Sequence, residues 1–280
     1  MTNETILSVY DKKLASLPIH FNEVTIATSL GKTNVLIFGD ATKPSLFLLH
    51  GLNSAAPFAF DTVSFLVEKY QIFAIDILGQ PNKSDFVRLN KKNTSYGKWL
   101  QETVCHFNLG KITLCGISFG AFPILQSLLI DEKKVKEVFL ISPAGIVNGS
   151  LLKTITRFLI PMKKFKKTKS EVSLKQCLLN LYDEFDDFNL QFLKEVFLNF
   201  KMDFSITPNF KKSELSSIKT PITIISSKND FFVPGQKLKK RSEKSFTSLK
   251  KYFVLENANH IPKKEVLENY FYGAGLGISV

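Results

Sequence analysis

Short, nearly unbroken apolar runs recur along the chain, separated by stretches in which apolar residues return every third or fourth position. SLFLLHG (45–51), QIFAID (71–76), KITLCG (111–116), EVFLIS (137–142), PITIIS (221–226) and KKYFVLE (250–256) have the first character. Runs of that length and composition fit strands buried on both faces. NEVTIATS (22–29) and NVLIFGD (34–40), joined by a turn containing Gly31, read as an antiparallel hairpin. Helical spacing follows in FDTVSFLVEKY (60–70), with Val63, Leu66 and Val67 on one face. It returns in SYGKWLQETVCHF (95–107), through Trp99, Leu100, Thr103 and Val104, and in FPILQSLLI (122–130). Strands alternating with helices predict an α/β protein: a mostly parallel central sheet with helices on both faces.

The alternation stops between Ile141 and Thr220. SLKQCLLNLYDEF (173–185) and FNLQFLKEVFLNF (188–200) read as amphipathic helices, and no strong strand intervenes. The expected organisation is therefore a core domain of residues 1–146 and 218–280, with a helical cap inserted as residues 147–217. The tail GAGLGISV (273–280) lacks helix chemistry and is expected to be loosely held.

Composition adds limits. The apolar fraction of 44% and charged fraction of 22% are those of a globular protein rather than a disordered one. The 26 phenylalanines are expected to fill core and pocket. Cys105, Cys115 and Cys177 have no metal-site spacing and fit reduced thiols. MTNETILSVYDKK at the start shows no secretory pattern, and no apolar run approaches the length of a membrane span. A cytoplasmic location is expected. The net charge of +12 is uneven: +2 in residues 1–146, +4 in 147–217 and +6 in 218–280. PMKKFKKTKS (161–170) and GQKLKKRSEKS (235–245) concentrate it. Such runs are most often solvated surface, and otherwise sites for anionic partners.

In an open α/β sheet, reactive groups collect beyond the carboxyl ends of the strands. His50, Asp76, Ser118, Ser142, Asp230 and His260 all follow predicted strands. Ser118 lies in LCGISFGAF (114–122), between a strand and a helix, flanked by Gly116 and Gly120. That G-x-S-x-G context suits a serine held on a tight strand-to-helix turn, with the Phe119 N–H aimed at a developing oxyanion. A serine also needs a base, and the base an orienting group. Of the four histidines, His20 precedes the hairpin and His106 lies within a predicted helix. His50 sits in a glycine turn, which leaves His260, on a polar loop after the last strand, as the base. Asp230, beyond PITIIS, is the orienting carboxylate, preferred to Asp76 because the order Ser…Asp…His is that of elbow-type hydrolases. The turn in LFLLHGLNSAA supplies a second oxyanion donor, the Leu52 N–H, in preference to Asn53.

LLHGLNS, IDILGQPNKS, GISFGA, KNDFFVP and NANHIP, in that order over residues 20–272, resemble the α/β-hydrolases, within them the serine esterases and lipase-like enzymes. The resemblance is nearest to bacterial carboxylesterase-like members; Ala121 stands where many relatives have a second glycine. It implies the α/β-hydrolase fold, Ser118 as nucleophile, Asp230 as acid, His260 as base, Leu52 and Phe119 as oxyanion donors, and hydrolysis of a carboxylic ester without metal or cofactor. A small-molecule ester is the expected substrate. Phe158, Phe165, Phe185, Phe188, Phe192 and Phe197 are candidates for an acyl pocket, at least half of them serving instead to fix the cap to the sheet. Alternative functions are a carrier-linked acyl esterase or thioesterase, suggested by Lys163, Lys164, Lys166, Lys167 and Lys169, a carbon–carbon bond hydrolase, and a non-catalytic binding protein of the same fold. An acidic carrier or an anionic surface is a possible partner of the basic clusters; nucleic acid rests on charge alone and ranks last.

Overall fold

In the computed structural model, residues 4–272 are described; the tail 273–280, expected to be loosely held, lies outside them. The apolar runs form one eight-stranded sheet: β1 Phe21–Thr28, β2 Gly31–Phe38, β3 Ser45–Leu49, β4 Gln71–Ile75, β5 Ile112–Ile117, β6 Val135–Ile141, β7 Ile222–Ser227 and β8 Leu249–Leu255. Its order is β1-β2-β4-β3-β5-β6-β7-β8. β2 runs antiparallel to β1 and β4; every other neighbouring pair is parallel.

The continuous apolar runs of β3 to β7 follow from burial of both faces; the run at 250–256 departs from that expectation, because β8 is an edge strand in which Leu255 alone is buried. Leu46 and Leu48 of β3 join one core cluster, and Phe47 and Leu49 join the other. β4 divides likewise, Ile72 and Ala74 against Phe73 and Ile75. Successive side chains point to opposite faces, so each face needs apolar residues at alternate positions and the sequence reads as unbroken.

The helices are α1 Glu4–Ser16, α2 Ala56–Thr62, α3 Ser95–His106, α4 Ala121–Ile130, α5 Leu151–Thr154, α6 Ile160–Thr168, α7 Glu171–Leu179, α8 Asp187–Asn199, α9 Lys212–Ser217, α10 Gly235–Ser245 and α11 Lys264–Tyr272. α3, α4 and α10 cover one face; α2 and α11 cover the other. Helix α5 runs through a π-helical turn, Ile155–Leu159, into α6 without a break. The buried side of α6, α7 and α8 (Phe165, Leu174, Cys177, Val196 and Phe197) joins the cluster that α1 and α2 share. Leu215 of α9 packs on the opposite face.

Two helical expectations are corrected. The helix placed at 60–70 begins earlier, at Ala56, because Pro57 falls in its first turn, where a missing N–H costs nothing. It stops at the β-branched pair Thr62–Val63, and Ser64–Glu68 continues as a tight 3₁₀ turn, although Val63 and Leu66 are buried as the pattern required. The helix placed at 173–185 ends at Leu179, since Leu181 and Asp183 turn away to hydrogen-bond a different loop. Helix α1 lies outside the segments assigned from periodicity; its Ile6, Val9, Tyr10 and Leu14 have helical spacing and are buried.

α1 also fastens distant elements. Lys13, 3% exposed, donates to Asp61 at the end of α2 and to Asp186, the N-cap of α8, at 2.6 Å each. Burial alone would lower its pKa, but hydrogen bonds from its ammonium to Asp186 and Asp61 raise it. Lys13→Met is expected to cost about 1–2 kcal/mol of unfolding free energy, discounted because both carboxylates are partly exposed. Urea denaturation measures this, and amide exchange should quicken first in α1 and α8; an unchanged midpoint and exchange pattern would contradict the clamp.

Candidate active site

The connection after β3 leads to β4 on one side and the connection after its other neighbour, β5, leads to β6 on the opposite side, so the winding direction reverses between β3 and β5. Such a switch point opens a crevice at the carboxyl ends of the strands. Ser118 follows β5 there, with φ at 52°, and begins a 3₁₀ turn, Ser118–Gly120, that leads into α4. A non-glycine residue in the left-handed region carries about 1–3 kcal/mol of strain, which surrounding contacts must hold. Two glycines allow the approach. A Cβ on Gly120 would overlap the carbonyl oxygen of Leu49, and one on Gly116 would lie 2.8 Å from the Ala121 nitrogen. The Ala144 N–H donates to the Ser118 carbonyl at 3.0 Å and pins the turn from the β6 side.

The loop after β8 brings His260 to this serine. Its Nε2 stands 2.7 Å from Ser118 Oγ, and its Nδ1 stands 2.6 Å from Asp230 Oδ2. Asp230 follows β7 and is 3% exposed. Its other oxygen accepts from the N–H groups of Phe232 and Val233 at 2.8 and 2.9 Å. The aspartate is thus both a turn former and a partner of the imidazole, with one oxygen committed to each. Ser118, His260 and Asp230, read separately from three strand ends, form one hydrogen-bonded row.

One support for this row left no mark in the sequence pattern. The Asn259 N–H donates to Asp183 Oδ1 at 2.6 Å and the Ile261 N–H to the Leu181 carbonyl at 2.8 Å. The Asp183 N–H returns a bond to the Ile261 carbonyl at 3.1 Å. Residues on both sides of His260 are therefore held by the segment that follows α7.

The turn after β3 lies against the serine: a Cβ on Gly51 would stand 3.5 Å from Ser118 Cβ. Leu52 and Phe119 line the same cavity as Ser118 and His260. His50 is fully buried, and burial pushes its pKa down to about 4, so the ring is neutral at physiological pH. Its Nδ1–H donates to the Gly51 carbonyl at 2.7 Å, and its Nε2 accepts from the Ile77 N–H at 2.9 Å. Asn53 has φ at 56°, and its N–H donates to Gln80 Oε1 at 2.8 Å. His20 and His106 are exposed.

Asp76, the rival carboxylate, faces away from His260. It accepts from Tyr10 Oη at 2.9 Å, Asn34 Nδ2 at 3.1 Å and the Ala56 N–H at 2.8 Å, joining α1, β2 and α2. Burial pushes its pKa up to about 6 despite these donors. The unfolded carboxyl ionises near 3.8 while the folded one keeps its proton to about 6, so stability falls as pH rises between those values. The unfolding free energy of the native chain minus that of Asp76→Asn is expected to drop by about 2 kcal/mol from pH 4 to pH 7. Urea melts at both pH values measure it; a constant difference would contradict the shift.

A cavity of about 360 Å³ opens above Ser118, lined by Phe58, Phe158, Leu193, Phe204, Phe232 and Ile261 among others. Of the six cap phenylalanines considered from the sequence, only Phe158 lines it; Phe165, Phe192 and Phe197 are buried in the core, and Phe185 and Phe188 are packed against it. Among the described residues no lysine or arginine lines the cavity, and the one carboxylate that does, Asp203, is paired with Lys91 at 2.7 Å. Lys91 also donates to the carbonyl and hydroxyl of Ser205 and lies 5.2 Å from the centre of the Phe119 ring. It ties segment 202–207 across the cavity. Among the described residues, no group of three or more His, Cys, Asp or Glu side chains is arranged to hold a metal ion, and no helix is long and apolar enough to cross a membrane.

This sheet order, with a serine on a tight turn after the central β5, is that of the α/β-hydrolase fold. Within that class the chain is similar to carboxylesterases. It is 29% identical over 135 residues to an uncharacterised carboxylesterase, nap, of Bacillus subtilis (strain 168), covering 48% of this chain and 45% of the relative. The carboxylesterase YbfK of the same organism is 28% identical over 135 residues, covering 48% and 46%. The matches thus span about half the length of these curated relatives. The solved structure of naproxen esterase (carboxylesterase NP) from Bacillus subtilis superposes with a TM-score of 0.80 at 20% identity, covering 97% of this chain and 98% of that one. Carboxylesterase CesB (YbfK) from Bacillus subtilis gives 0.76 at 19% identity, covering 92% and 93%. No family model matches the chain.

Proposed function

We propose that this protein is a serine esterase that cleaves a small, neutral carboxylic ester through an acyl-enzyme. The observation that carries the reading is the Ser118–His260–Asp230 row, with hydrogen-bond distances of 2.7 and 2.6 Å. Asp230 accepts from the Nδ1–H of His260 and so leaves the Nε2 lone pair facing the Ser118 hydroxyl. His260 takes the hydroxyl proton as Ser118 Oγ attacks the ester carbonyl. The imidazolium that forms is stabilised by Asp230 and gives its proton to the departing alcohol. Water, deprotonated in turn by His260, then releases the acid and restores Ser118.

The N–H groups of Leu52 and Phe119 receive the oxyanion, each worth about 3 kcal/mol in comparable sites. In a trans peptide the N–H points opposite to the C=O. The bond from His50 to the Gly51 carbonyl therefore turns the Leu52 N–H away from the His50 ring. Phe119 offers its N–H from the first turn of the helical stretch that follows Ser118.

Residues 147–217 act as a cap over the site. In this reading α5 to α8 roof the cavity, and α9 returns the chain to the core. The similarity to carboxylesterases supports an ester, and the cation-free apolar lining supports uncharged acyl and alcohol groups. At about 360 Å³ the cavity is at the small end of ligand pockets, which run from about 300 to 1,000 Å³. With p-nitrophenyl esters of rising acyl length, kcat/KM is expected to climb from acetate to medium chains and fall for long ones. Activity absent across the series, or independent of acyl length, would count against the assignment.

A further inference from the structure

We propose that the cap carries a docking face for an anionic lipid bilayer, set so that the mouth of the active site opens onto the membrane surface. This deepens the esterase reading by naming where the substrate is met: an amphiphilic ester partitioned into the bilayer. Three features coincide on the cap. Leu151, Phe204 and Ile206 line the cavity yet are 64%, 56% and 68% exposed, so they form its rim rather than its wall. Leu152 and Ile155, beside Leu151 on the same helical rod, extend that apolar edge at 70% and 36% exposed.

The second feature is charge. From Val147 to Ser170 the chain has seven cationic side chains (Lys153, Arg157, Lys163, Lys164, Lys166, Lys167 and Lys169) and no acidic one. All seven are exposed, and none forms an ion pair with a carboxylate among the described residues. The third is continuity. α5, the π turn and α6 form one rod from Leu151 to Thr168, about 25 Å long at the helical rise, with the apolar rim at its first turns and the cations continuing to its end.

A purely electrostatic partner would need the cations but not the bare leucines. A purely apolar partner would leave seven like charges unmatched. Exposed apolar side chains interleaved with lysines are what a helix lying in the headgroup region of an anionic membrane requires: the apolar groups enter the acyl boundary while the cations meet the lipid phosphates. An acidic carrier protein would use the charge and give no reason for the exposed rim.

Binding is measured with full-length Ser118→Ala, so that the result does not depend on turnover, by co-sedimentation with vesicles. Vesicles of phosphatidylcholine alone are compared with equal parts phosphatidylcholine and phosphatidylglycerol. Strong binding to the mixed vesicles and little to the neutral ones is expected. In that background, Lys163→Gln, Lys164→Gln, Lys166→Gln and Lys167→Gln together should weaken partitioning by at least about 10-fold, consistent with the contribution of juxtamembrane cations. Leu152→Ser with Ile155→Ser should weaken it several-fold. Lys240→Gln with Lys244→Gln, on the other basic helix α10, should change it little. Placed in the chain with Ser118 intact, the cap substitutions should leave hydrolysis of a dissolved short-chain ester unchanged. No binding to mixed vesicles, loss only with the α10 variant, insensitivity to the cap variants, or binding solely to a purified acidic acyl carrier protein would each overturn the proposal. Failure of the esterase reading shows separately, as absent hydrolysis by the native chain.

Discussion

Ser118→Ala is expected to lower kcat on a p-nitrophenyl ester by about 10⁶-fold, to the limit of detection, with the fold intact. The methyl group cannot form the acyl bond, while the Leu52 and Phe119 N–H groups and the apolar cavity stay in place. The residue left behind should therefore still exceed the rate in water, by the 10³–10⁴-fold that binding and oxyanion donors sustain in comparable sites. Stability should hardly move. Alanine must adopt the same left-handed conformation, φ 52°, and it loses only a hydroxyl bonded to His260. Steady-state kinetics together with a thermal melt measure both effects. A variant that keeps more than a small fraction of native kcat would place the nucleophile elsewhere.

Asp230→Asn is expected to lower kcat by about 10⁴-fold with KM little changed. The asparagine carbonyl can still accept from the Phe232 and Val233 N–H groups, so the loop should hold. Its amide would then face His260 Nδ1 as a donor. The imidazole can answer only by moving its proton to Nε2, which puts a hydrogen where the lone pair must take the serine proton. Asp230→Ala should lose the same activity and, in addition, loop stability, because both N–H groups lose their acceptor. Asp76→Asn is the counter-experiment. Its carboxylate is engaged by Tyr10, Asn34 and Ala56, so substitution should change stability more than kcat. If Asp76→Asn were the variant to lose the 10⁴-fold and Asp230→Asn were nearly neutral, the roles assigned to the two carboxylates would be exchanged.

The central strands were legible because burial on both faces leaves a signal in every residue. Phe47 and Leu49 serve one side of the sheet as Leu46 and Leu48 serve the other, and β-branched residues such as Ile224 and Ile225 mark the same alternation in β7. Helix ends were less legible, since they turn on single contacts. Pro57 moved one start, and the partners of Leu181 and Asp183 in the His260 loop decided where α7 stopped.

At the site, the residues that follow strands could be picked out, because a parallel sheet gathers its strand ends on one rim. What no local pattern could supply were partners far apart in sequence. Lys13 with Asp186, Lys91 with Asp203 and Asn259 with Asp183 are lysines, aspartates and an asparagine that read as ordinary surface. Only the closed fold reveals that they hold α8 to α1, the segment across the cavity and the loop of His260.

The central claim is that Ser118 is an activated nucleophile. A fluorophosphonate phosphonylates a serine, with loss of fluoride, only where a base draws off the hydroxyl proton, so intact mass followed by peptide mapping reads the claim directly. The expected result is one adduct per chain, on Ser118, absent from Ser118→Ala and strongly slowed in Asp230→Asn. No adduct on the native chain, or one on a different residue, would contradict it.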